Sequence, residues 1–389
     1  MPPMAQADLL IVGAGPVGMS LALALRDAGL QVVLADARPR DAVTSDPRVL
    51  ALAHGTRLTL QRLGAWNGLP ATPIETIHVS QQGGLGRTLL HAKDYDTPAL
   101  GYVLSAGALA SALRREVDAA GIRVLDETEV VHLEPGADGV TASLACSGSS
   151  PHALTTITAR LAACAEGSMR ADDPDVVEHD YRQHALIAHV GASGGHRRTA
   201  FERFTADGPV ALLPSGDGHA LVHVVPPGRA DALLALDDTA YLAEVQSRIG
   251  NRARLNSVRD RLRYPLLLRY RRKPVGPRTV WLGNAAQTLH PVAGQGFNLA
   301  LRDVWALATA LIERGGDPGS PDTLAAYADA RSLDRLGTIR FTDTLVKLFS
   351  NDFPPLRHAR GAGLVALDLL PPLRHFVAKR MMFGARAWP

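Results

Sequence analysis

Asp8-Leu9-Leu10-Ile11-Val12-Gly13-Ala14-Gly15-Pro16-Val17-Gly18-Met19-Ser20-Leu21-Ala22-Leu23-Ala24-Leu25-Arg26 is the stretch that decides the fold class. Its opening apolar run reads as a strand buried on both faces, and Met19 to Arg26 reads as a helix. Between them Gly13, Gly15 and Gly18 stand at the G-x-G-x-x-G spacing. A second strand, Gln31-Val32-Val33-Leu34-Ala35, follows and ends in Asp36. Strand, glycine turn, helix, strand and acid in this order make a dinucleotide fingerprint. The glycines permit a tight turn, close approach of a pyrophosphate and close helix–strand packing, while the acid reaches a ribose hydroxyl. Context carries this reading, not the glycines alone. Gly361-Ala362-Gly363-Leu364-Val365-Ala366 is also glycine-spaced, but no strand precedes it and no acid-tipped strand follows, so it reads as helix packing.

A second glycine-rich stretch, Gly283-Asn284-Ala285-Ala286-Gln287-Thr288-Leu289-His290-Pro291-Val292-Ala293-Gly294-Gln295-Gly296-Phe297-Asn298, runs into Leu299 to Ala308. The apolar spacing of that last run predicts an amphipathic helix. Gly294 and Gly296 lack a Cβ, so backbone can lie flat against a planar ligand there. The first N–H groups of the helix have no partner within it and favour negative charge. A reduced flavin carries such charge at N1 and O2, so this turn is where chemistry is expected.

Composition narrows the class. A chain of 389 residues, 46% hydrophobic and 20% charged, is long enough for one large or two intimate domains with a substantial core. Its net charge of +3 is too small to argue for nucleic acid, and no basic–aromatic interleaving supports that partner. Cys146 and Cys164 read as small apolar packing residues rather than a disulfide or metal pair. His179, His184 and His189 lack a convincing ligand spacing, and no metal is expected. Met1 to Asp8 is too short for a secretory signal, and no apolar run is long enough to span a bilayer. The expected location is cytoplasmic, with peripheral contact to the inner membrane left open.

Organisation follows from texture. Arg57 to Leu63 is a predicted helix stopped by Gly64, and Ala106 to Ala120 is another. Strand patterns recur at 122–125, 130–134, 140–145 and 160–165. From Asp172 to Lys273 the runs Ala185–Val190, Ala200–Phe204, Val210–Leu213 and Ala220–Val225 alternate with Gly and Pro turns, as in an antiparallel sheet, with one helix near Asp238 to Ile249. The C-terminal portion is helical, with breaks at Pro318 to Pro321, Pro354-Pro355 and Pro371-Pro372. The predicted fold is α/β, a Rossmann-like nucleotide domain (1–72, 100–171, 275–330) interrupted by an antiparallel β-sheet substrate domain (73–99, 172–274). A helical C-terminal region (331–389) completes it, and a ligand is expected in the crevice between the domains.

Together these motifs resemble the flavin-dependent aromatic hydroxylases, and within them the ubiquinone-biosynthesis branch. The resemblance covers nearly the whole chain. Its anchors are Gly13 to Gly18, Asp46-Pro47-Arg48-Val49-Leu50-Ala51-Leu52, Ile77-His78-Val79-Ser80, Ala200-Phe201-Glu202-Arg203-Phe204-Thr205 with Asp207-Gly208-Pro209, Tyr264-Pro265-Leu266, Gly283 to Asp303, and Thr342 to Asn351. It implies FAD, with NAD(P)H or another electron donor, and O2 captured on the reduced flavin as a C4a-hydroperoxide that attacks an electron-rich phenol. The substrate it implies is 2-polyprenyl-6-methoxyphenol. In such chemistry the protein positions the ring and excludes water.

The resemblance also assigns roles. Gly13, Gly15 and Gly18 take the pyrophosphate, Asp36 the adenosine ribose, and Arg48 of the Asp-x-Arg position adds positive charge near FAD. Asn284 stands at the position that touches the ribityl chain, an Asp in many flavin hydroxylases. Gly294, Gln295, Gly296, Phe297 and Asn298 line the isoalloxazine, and the Pro291 carbonyl faces the substrate ring. Two departures concern the electron donor: Glu166-Gly167-Ser168-Met169-Arg170 is a shortened version of an acidic family loop, and Ser105-Ala106-Gly107-Ala108 is bland where a polar flavin contact is common. His290 reads either as a general base or as a turn-fixing residue, and Arg302 and Asp303 either as an exposed helix start or as a clamp on the turn.

A polyprenylated phenol resides in a membrane, so the enzyme must meet it at a surface or through a partner. The C-terminal segment combines Arg357, Arg360, Arg374, Lys379, Arg380 and Arg386 with Leu369, Leu370, Phe376, Met381, Met382 and Trp388. That composition fits a membrane surface or a ubiquinone-biosynthesis complex, and equally a helix pair packed on its own core. Beside the leading reading stand a hydroxylase of another ring position or a soluble phenol, and a flavoprotein component of a biosynthetic complex with little activity of its own.

Overall fold

The computed structural model describes residues 5–84, 86–147, 154–169, 173–349 and 354–385. Met1, Arg170, Asp172, Asn351, Arg386 and Trp388, named above, lie outside the described residues. The first sheet is built around Ala5–Val12. Its order is Val275–Gly276, Thr279–Trp281, Leu154–Cys164, Ala5–Val12, Val32–Ala35, Arg123–Leu125, with the hairpin Thr128–Pro135 and Val140–Cys146 attached to Leu154–Cys164. Ala5–Val12 pairs in parallel with both neighbours. Leu9, Leu10 and Ile11 have no exposed surface because both faces are covered. Helices Pro16–Ala24, Ala106–Ala119 and Gln295–Arg314 pack on the side of Leu9 and Ile11, while the hairpin packs on Leu10 and Val12. Each such leucine contributes about 1.5–3 kcal/mol by its burial.

The parallel register sets the ends of these strands side by side. Val12 lies opposite Ala35 and Cys164, and Cys164 lies opposite Trp281. The chain therefore leaves the sheet at Gly13, Asp36, Ala165 and Gly283 along one edge, the carboxyl edge where open α/β sheets bind ligands.

The second sheet has the order Gln287–Thr288, Arg254–Arg271, Val176–Ser193, Gly218–Val225, Pro209–Ser215, Thr199–Phe204, Thr76–Gln81, Arg87–His91. It is antiparallel except where Thr199–Phe204 runs parallel to Thr76–Gln81. Helices Pro227–Leu234 and Asp238–Ile249 bury one face, where Leu186, Val210, Leu212 and Leu221 meet Tyr241, Val245 and Ile249. The other face turns toward a small third sheet, Val49–Ala53, Gly101–Ser105 and Thr72–Ile74, where Ala200 packs with Val103 and Ile74. The C-terminal helices Pro321–Phe349, Pro354–Leu369 and Pro371–Phe383 each begin at a proline, the position where a missing N–H costs nothing. Among the described residues no helix is long and apolar enough to cross a membrane.

Several expectations are corrected. The helix of the second glycine stretch begins at Gln295, not Leu299, because Gly294 (φ 59°, ψ 30°) provides the left-handed residue that lets the chain enter it. The first helix begins at Pro16 and ends at Ala24. Within the stretch read as a turn, Gln287–Thr288 forms a short strand that pairs with Arg254–Arg271 of the second sheet. Cys164 is buried as read, but Cys146 is exposed at the open end of its hairpin, opposite Thr128. The long ribbon of Val176–Ser193 and Arg254–Arg271 was legible only in fragments, since bulges interrupt its alternation.

Candidate functional site

The first glycine turn divides by what each glycine faces. Gly13 has φ 104°, and a Cβ there would lie 2.6 Å from the Ala165 carbonyl oxygen. A Cβ on Gly18 would lie 1.9 Å from the Gly13 carbonyl oxygen. The fold itself demands these two. Gly15 differs: its nearest atom is Nη2 of Arg38, 3.6 Å from the Cβ position. Nothing among the described residues requires a glycine there, so the bare backbone leaves room for a ligand. Gly296 at the other turn repeats this, with nothing among the described residues within 4 Å of its Cβ position, while Gly294 is fixed by its positive φ and a 3.0 Å approach to Ala51 Cβ. Two stretches of open backbone, each at the start of a helix whose first N–H groups lack helical partners, fit the two ends of FAD.

Asp36 is buried and its carboxylate is fully engaged. One oxygen accepts the Ala14 N–H at 2.7 Å and Arg38 Nη2 at 2.9 Å; the other accepts the Arg38 N–H and Nε at 2.9 and 3.0 Å. These fill its four lone-pair positions. Burial raises its pKa, but the Arg38 bonds and the Ala14 N–H outweigh this and hold it below the ordinary range. A ribose hydroxyl reaching Asp36 must therefore displace or share an Arg38 donor. Arg38 itself, missed by a reading that stopped at the acid, brings a guanidinium to the edge of Gly15.

The remaining expected contacts are placed as follows. Arg48 pairs with Asp46 at 2.6 Å and is largely exposed. Its segment docks on the Ala106–Ala119 helix, where a Cβ on Gly107 would lie 2.4 Å from the Thr44 carbonyl oxygen, so the bland Ser105-Ala106-Gly107 sequence permits that approach. Glu166 stands exposed beside Gly13, its Cα 2.8 Å from the Gly13 Cβ position. Asn284 is exposed in the one-turn helix Gly283–Ala285 on the same edge.

Around the second turn, side chains do the fixing. Asn298 is buried, and its Oδ1 accepts from the Ala53 N–H (2.8 Å) and Thr56 hydroxyl (2.7 Å). Its Nδ2 donates to the carbonyls of Ala51 (3.0 Å) and Gly294 (2.6 Å). Asn298 is thus spent on stapling the turn to the third sheet, leaving the backbone of Gly294 and Gly296 to meet a planar ligand. Pro291 is exposed, but its carbonyl accepts the Gly294 N–H at 2.9 Å. His290 is buried, its Nδ1 accepts the Val292 N–H at 3.1 Å, and its ring stands edge-on to Tyr181 at 5.5 Å. Burial pulls its pKa down to about 4. A neutral imidazole that braces its own turn is the outcome, so the geometry favours the turn-fixing reading over a general base. Phe297 packs partly on the first core.

The turn is also anchored from behind. Asp303 has no exposed surface; it accepts Arg331 Nε at 2.6 Å and Gln287 Nε2 at 2.7 Å. Arg335 donates to Gln287 Oε1 at 2.6 Å and to the Arg271 carbonyl at 2.7 Å. Asp334 joins Arg331 and Arg302, each at 2.8 Å, and accepts the Ala385 N–H at 2.8 Å. Arg302 and Asp303 are therefore clamps, not an exposed helix start. Beside the turn, Gln295 and Asn298 border an apolar pocket lined by Ile74, Ile77, Leu90, Ala378, Met381 and Met382.

Comparison with known proteins agrees with this geometry. The FAD binding domain family matches residues 6–341. The ubiquinone hydroxylase UbiL of Rhodospirillum rubrum is 34% identical, over 98% of this chain and 91% of that protein. The 3-demethoxyubiquinol 3-hydroxylase of Escherichia coli is 28% identical over 93% of this chain and 94% of its own. Among solved structures, p-nitrophenol 4-monooxygenase PnpA from Pseudomonas putida superposes with a TM-score of 0.78 at 19% identity, over 98% of this chain and all of that one.

Proposed function

This chain belongs to the FAD binding domain family as an FAD-dependent aromatic-ring monooxygenase, and we propose that it hydroxylates the ring of a polyprenylated phenol in ubiquinone biosynthesis, with 2-polyprenyl-6-methoxyphenol as the substrate. The observation that carries the lipid substrate is the apolar pocket beginning at Gln295 and walled by Met381 and Met382. A prenyl chain needs a continuous apolar wall, and unbranched methionines adapt to its irregular shape; a small soluble phenol would need only the ring site. The names of the relatives point the same way.

In this reading Gly13, Gly15 and Gly18 admit the pyrophosphate, Gly283-Asn284 meets the ribityl chain, and Gly294 to Phe297 border the isoalloxazine. Bound FAD supplies the electron transfer and the activated oxygen, with NAD(P)H as the usual donor in the family. The chain's part is geometric. The first turn of the helix that begins at Gln295 carries the positive end of its dipole, which favours negative charge on the adjacent ring edge. Asn298, His290 and Asp303 hold that end rigid, and Gln295 stands between the turn and the apolar pocket.

The C-terminal segment divides between its two expected roles. Leu364, Ala378 and Met382 are buried in the body, whereas Leu369 (70% exposed), Leu370 (53%), Leu373 (41%) and Phe376 (47%) form an apolar corner with Lys379 beside it. Leu373 and Phe376 of that corner lie on the helix Pro371–Phe383, which also lines the pocket through Ala378, Met381 and Met382, and this supports peripheral contact with a membrane surface. The deciding experiment is a quinone profile of aerobic cells lacking the protein, paired with oxygen uptake by purified enzyme given a short-chain prenylated methoxyphenol. Accumulated prenylphenol, depleted ubiquinone and substrate-dependent uptake are expected. Unchanged ubiquinone together with no uptake would sink the proposal.

A further inference from the structure

Strand Thr199–Phe204 presents Ala200, Glu202 and Phe204 on one face, because side chains alternate along a strand. The packing of the outer two identifies that face. Ala200 meets Ile74 and Val103 of the third sheet. Phe204 meets Val292 of the second glycine turn and stacks on Phe349 at 3.7 Å. Glu202 lies midway, about 7 Å along the strand from each, on the wall that faces the Pro291–Gln295 turn. Its neighbours across the sheet are Val79 and Ala211, both apolar. The strand is interior to the sheet and Glu202 is partly exposed, so its side chain lies on the face of the sheet rather than at an edge. No hydrogen bond or ion pair from the described residues reaches its carboxyl, unlike every acid of the Asp303–Asp334 cluster. Desolvation by its apolar surroundings, with no neighbouring charge, pushes its pKa up to about 7. Glu202 is nonetheless partly exposed, so its carboxyl is open to whatever binds in the cleft.

We propose that Glu202 is a catalytic residue whose carboxylate hydrogen-bonds the ring hydroxyl of the phenol and takes its proton; this rests on the phenol-hydroxylase reading above. The substrate O–H bond breaks, a carboxyl O–H bond forms, and the electron pair stays on the phenolate oxygen. Electron density then rises at the ortho and para ring carbons, which take the oxygen atom that the flavin and O2 supply. The hydroxylated carbon loses its hydrogen as a proton to water, and Glu202 returns the first proton to the ring oxygen. A group titrating near neutrality is suited to both directions of transfer. The site accordingly selects a free phenol and rejects its methyl ether.

The test compares wild type with Glu202→Gln, both FAD-loaded, on a short-chain prenylated methoxyphenol. Expected for the variant are unchanged flavin content, a fall in kcat of about 10²–10⁴-fold, and loss of the acidic limb near neutrality from the kcat/KM profile. A difference spectrum of bound phenol, read without turnover, should show the red shift of a phenol hydrogen-bonded to a carboxylate with wild type and a smaller shift with the variant, since a base near 7 leaves most of the phenol protonated before oxygen transfer. A nitrophenol already ionised at the assay pH should recover most of the lost rate, which a purely structural defect would not allow. If the Gln variant does not fold, Glu202→Asp carries the test, with the acidic limb retained and kcat lowered. An unchanged kcat and pH profile in either variant, or equal losses on neutral and ionised phenols, overturns the assignment. If wild type acts on soluble phenols only, with the same dependence on Glu202, the lipid substrate falls and Glu202 stands. If wild type neither binds nor oxidises any phenol, both fall together.

Discussion

The two glycine turns face the two ends of one cofactor, yet they are held in opposite ways. The first is fixed by backbone: Gly13 and Gly18 approach neighbouring main-chain atoms too closely for any Cβ, and one carboxylate, Asp36, completes it. The second is fixed by side chains from distant parts of the chain, with Asn298 bonding to residues near 53 and Asp303 to Arg331. Each turn keeps one glycine, Gly15 or Gly296, that the protein does not need for itself. A local code suffices where a pyrophosphate must be wrapped. Where a reacting ring must be placed, rigidity comes from packing the turn into the body of the molecule.

The sharpest way to break this contrast is inside the first turn. Gly18→Ala places a Cβ 1.9 Å from a carbonyl oxygen, so the expected outcome is no soluble folded protein. Gly15→Val should fold with an apoprotein Tm close to wild type but fail to retain FAD, read by circular dichroism and the flavin absorbance. A yellow, fully loaded Gly15→Val protein would show that its open backbone is not ligand space. Next in size is the second turn's buried clamp. Asp303→Ala removes the acceptor of Arg331 and Gln287 and should destabilise the fold by about 3–5 kcal/mol, since it leaves a buried cation without one of its carboxylates. Chemical denaturation measures it, and a loss under 1 kcal/mol would mean the turn is held by Asn298 alone.

The same contrast explains what the sequence could and could not disclose. Gly13 to Gly18 and Asp36 are informative within a window shorter than one supersecondary unit, so strand, helix and site were legible together. The clamp was not: Gln287, Asp303, Arg331 and Asp334 meet only after the C-terminal helices fold back, and nothing in their spacing announces it. Arg38 was passed over because its partner lies two residues before it rather than across the sheet. The long strands Val176–Ser193 and Arg254–Arg271 hid behind bulges, where Arg182 (φ 51°) and Asp260 (φ 58°) break the alternation that would have revealed them. Glu202 sat in a run read as a strand, but which face it occupied depended on pairings with Val79 and Ala211 that no local pattern encodes.

Acid should loosen the second turn before the first. His290 is depressed from an ordinary 6.5 to about 4 by burial. The unfolded chain therefore binds a proton that the folded one refuses between those values. The stability His290 contributes is fully present above pH 6.5 and is lost as pH falls toward 4, on the order of 3 kcal/mol at most. His219 and His223 are lowered to about 4 in the second sheet and act in the same window. His290→Asn should thus flatten, without abolishing, the fall in Tm between pH 6.5 and 4. An unchanged slope would mean that His290 is not buried in the protein in solution.

The smallest expected effect tests whether the first turn is as purely backbone as it looks. Arg38 is half exposed, so its pair with Asp36 should contribute under about 1 kcal/mol to stability. On FAD its removal acts in two directions. A cation about 4 Å from a phosphate in water contributes about 1 kcal/mol, roughly fivefold in affinity, and salt screens it. Against that, Arg38→Ala frees lone pairs on Asp36 for a ribose hydroxyl, a charge-assisted bond of comparable size. The two should nearly cancel at ordinary salt, leaving the FAD Kd within about tenfold of wild type while its salt dependence weakens. Titration of apoprotein with FAD at low and high salt reads both quantities. A loss as large as that of Gly15→Val would place the grip on the pyrophosphate in the Arg38 side chain, and the contrast between the two turns would then be one of which side chain holds the ligand rather than of backbone against side chain.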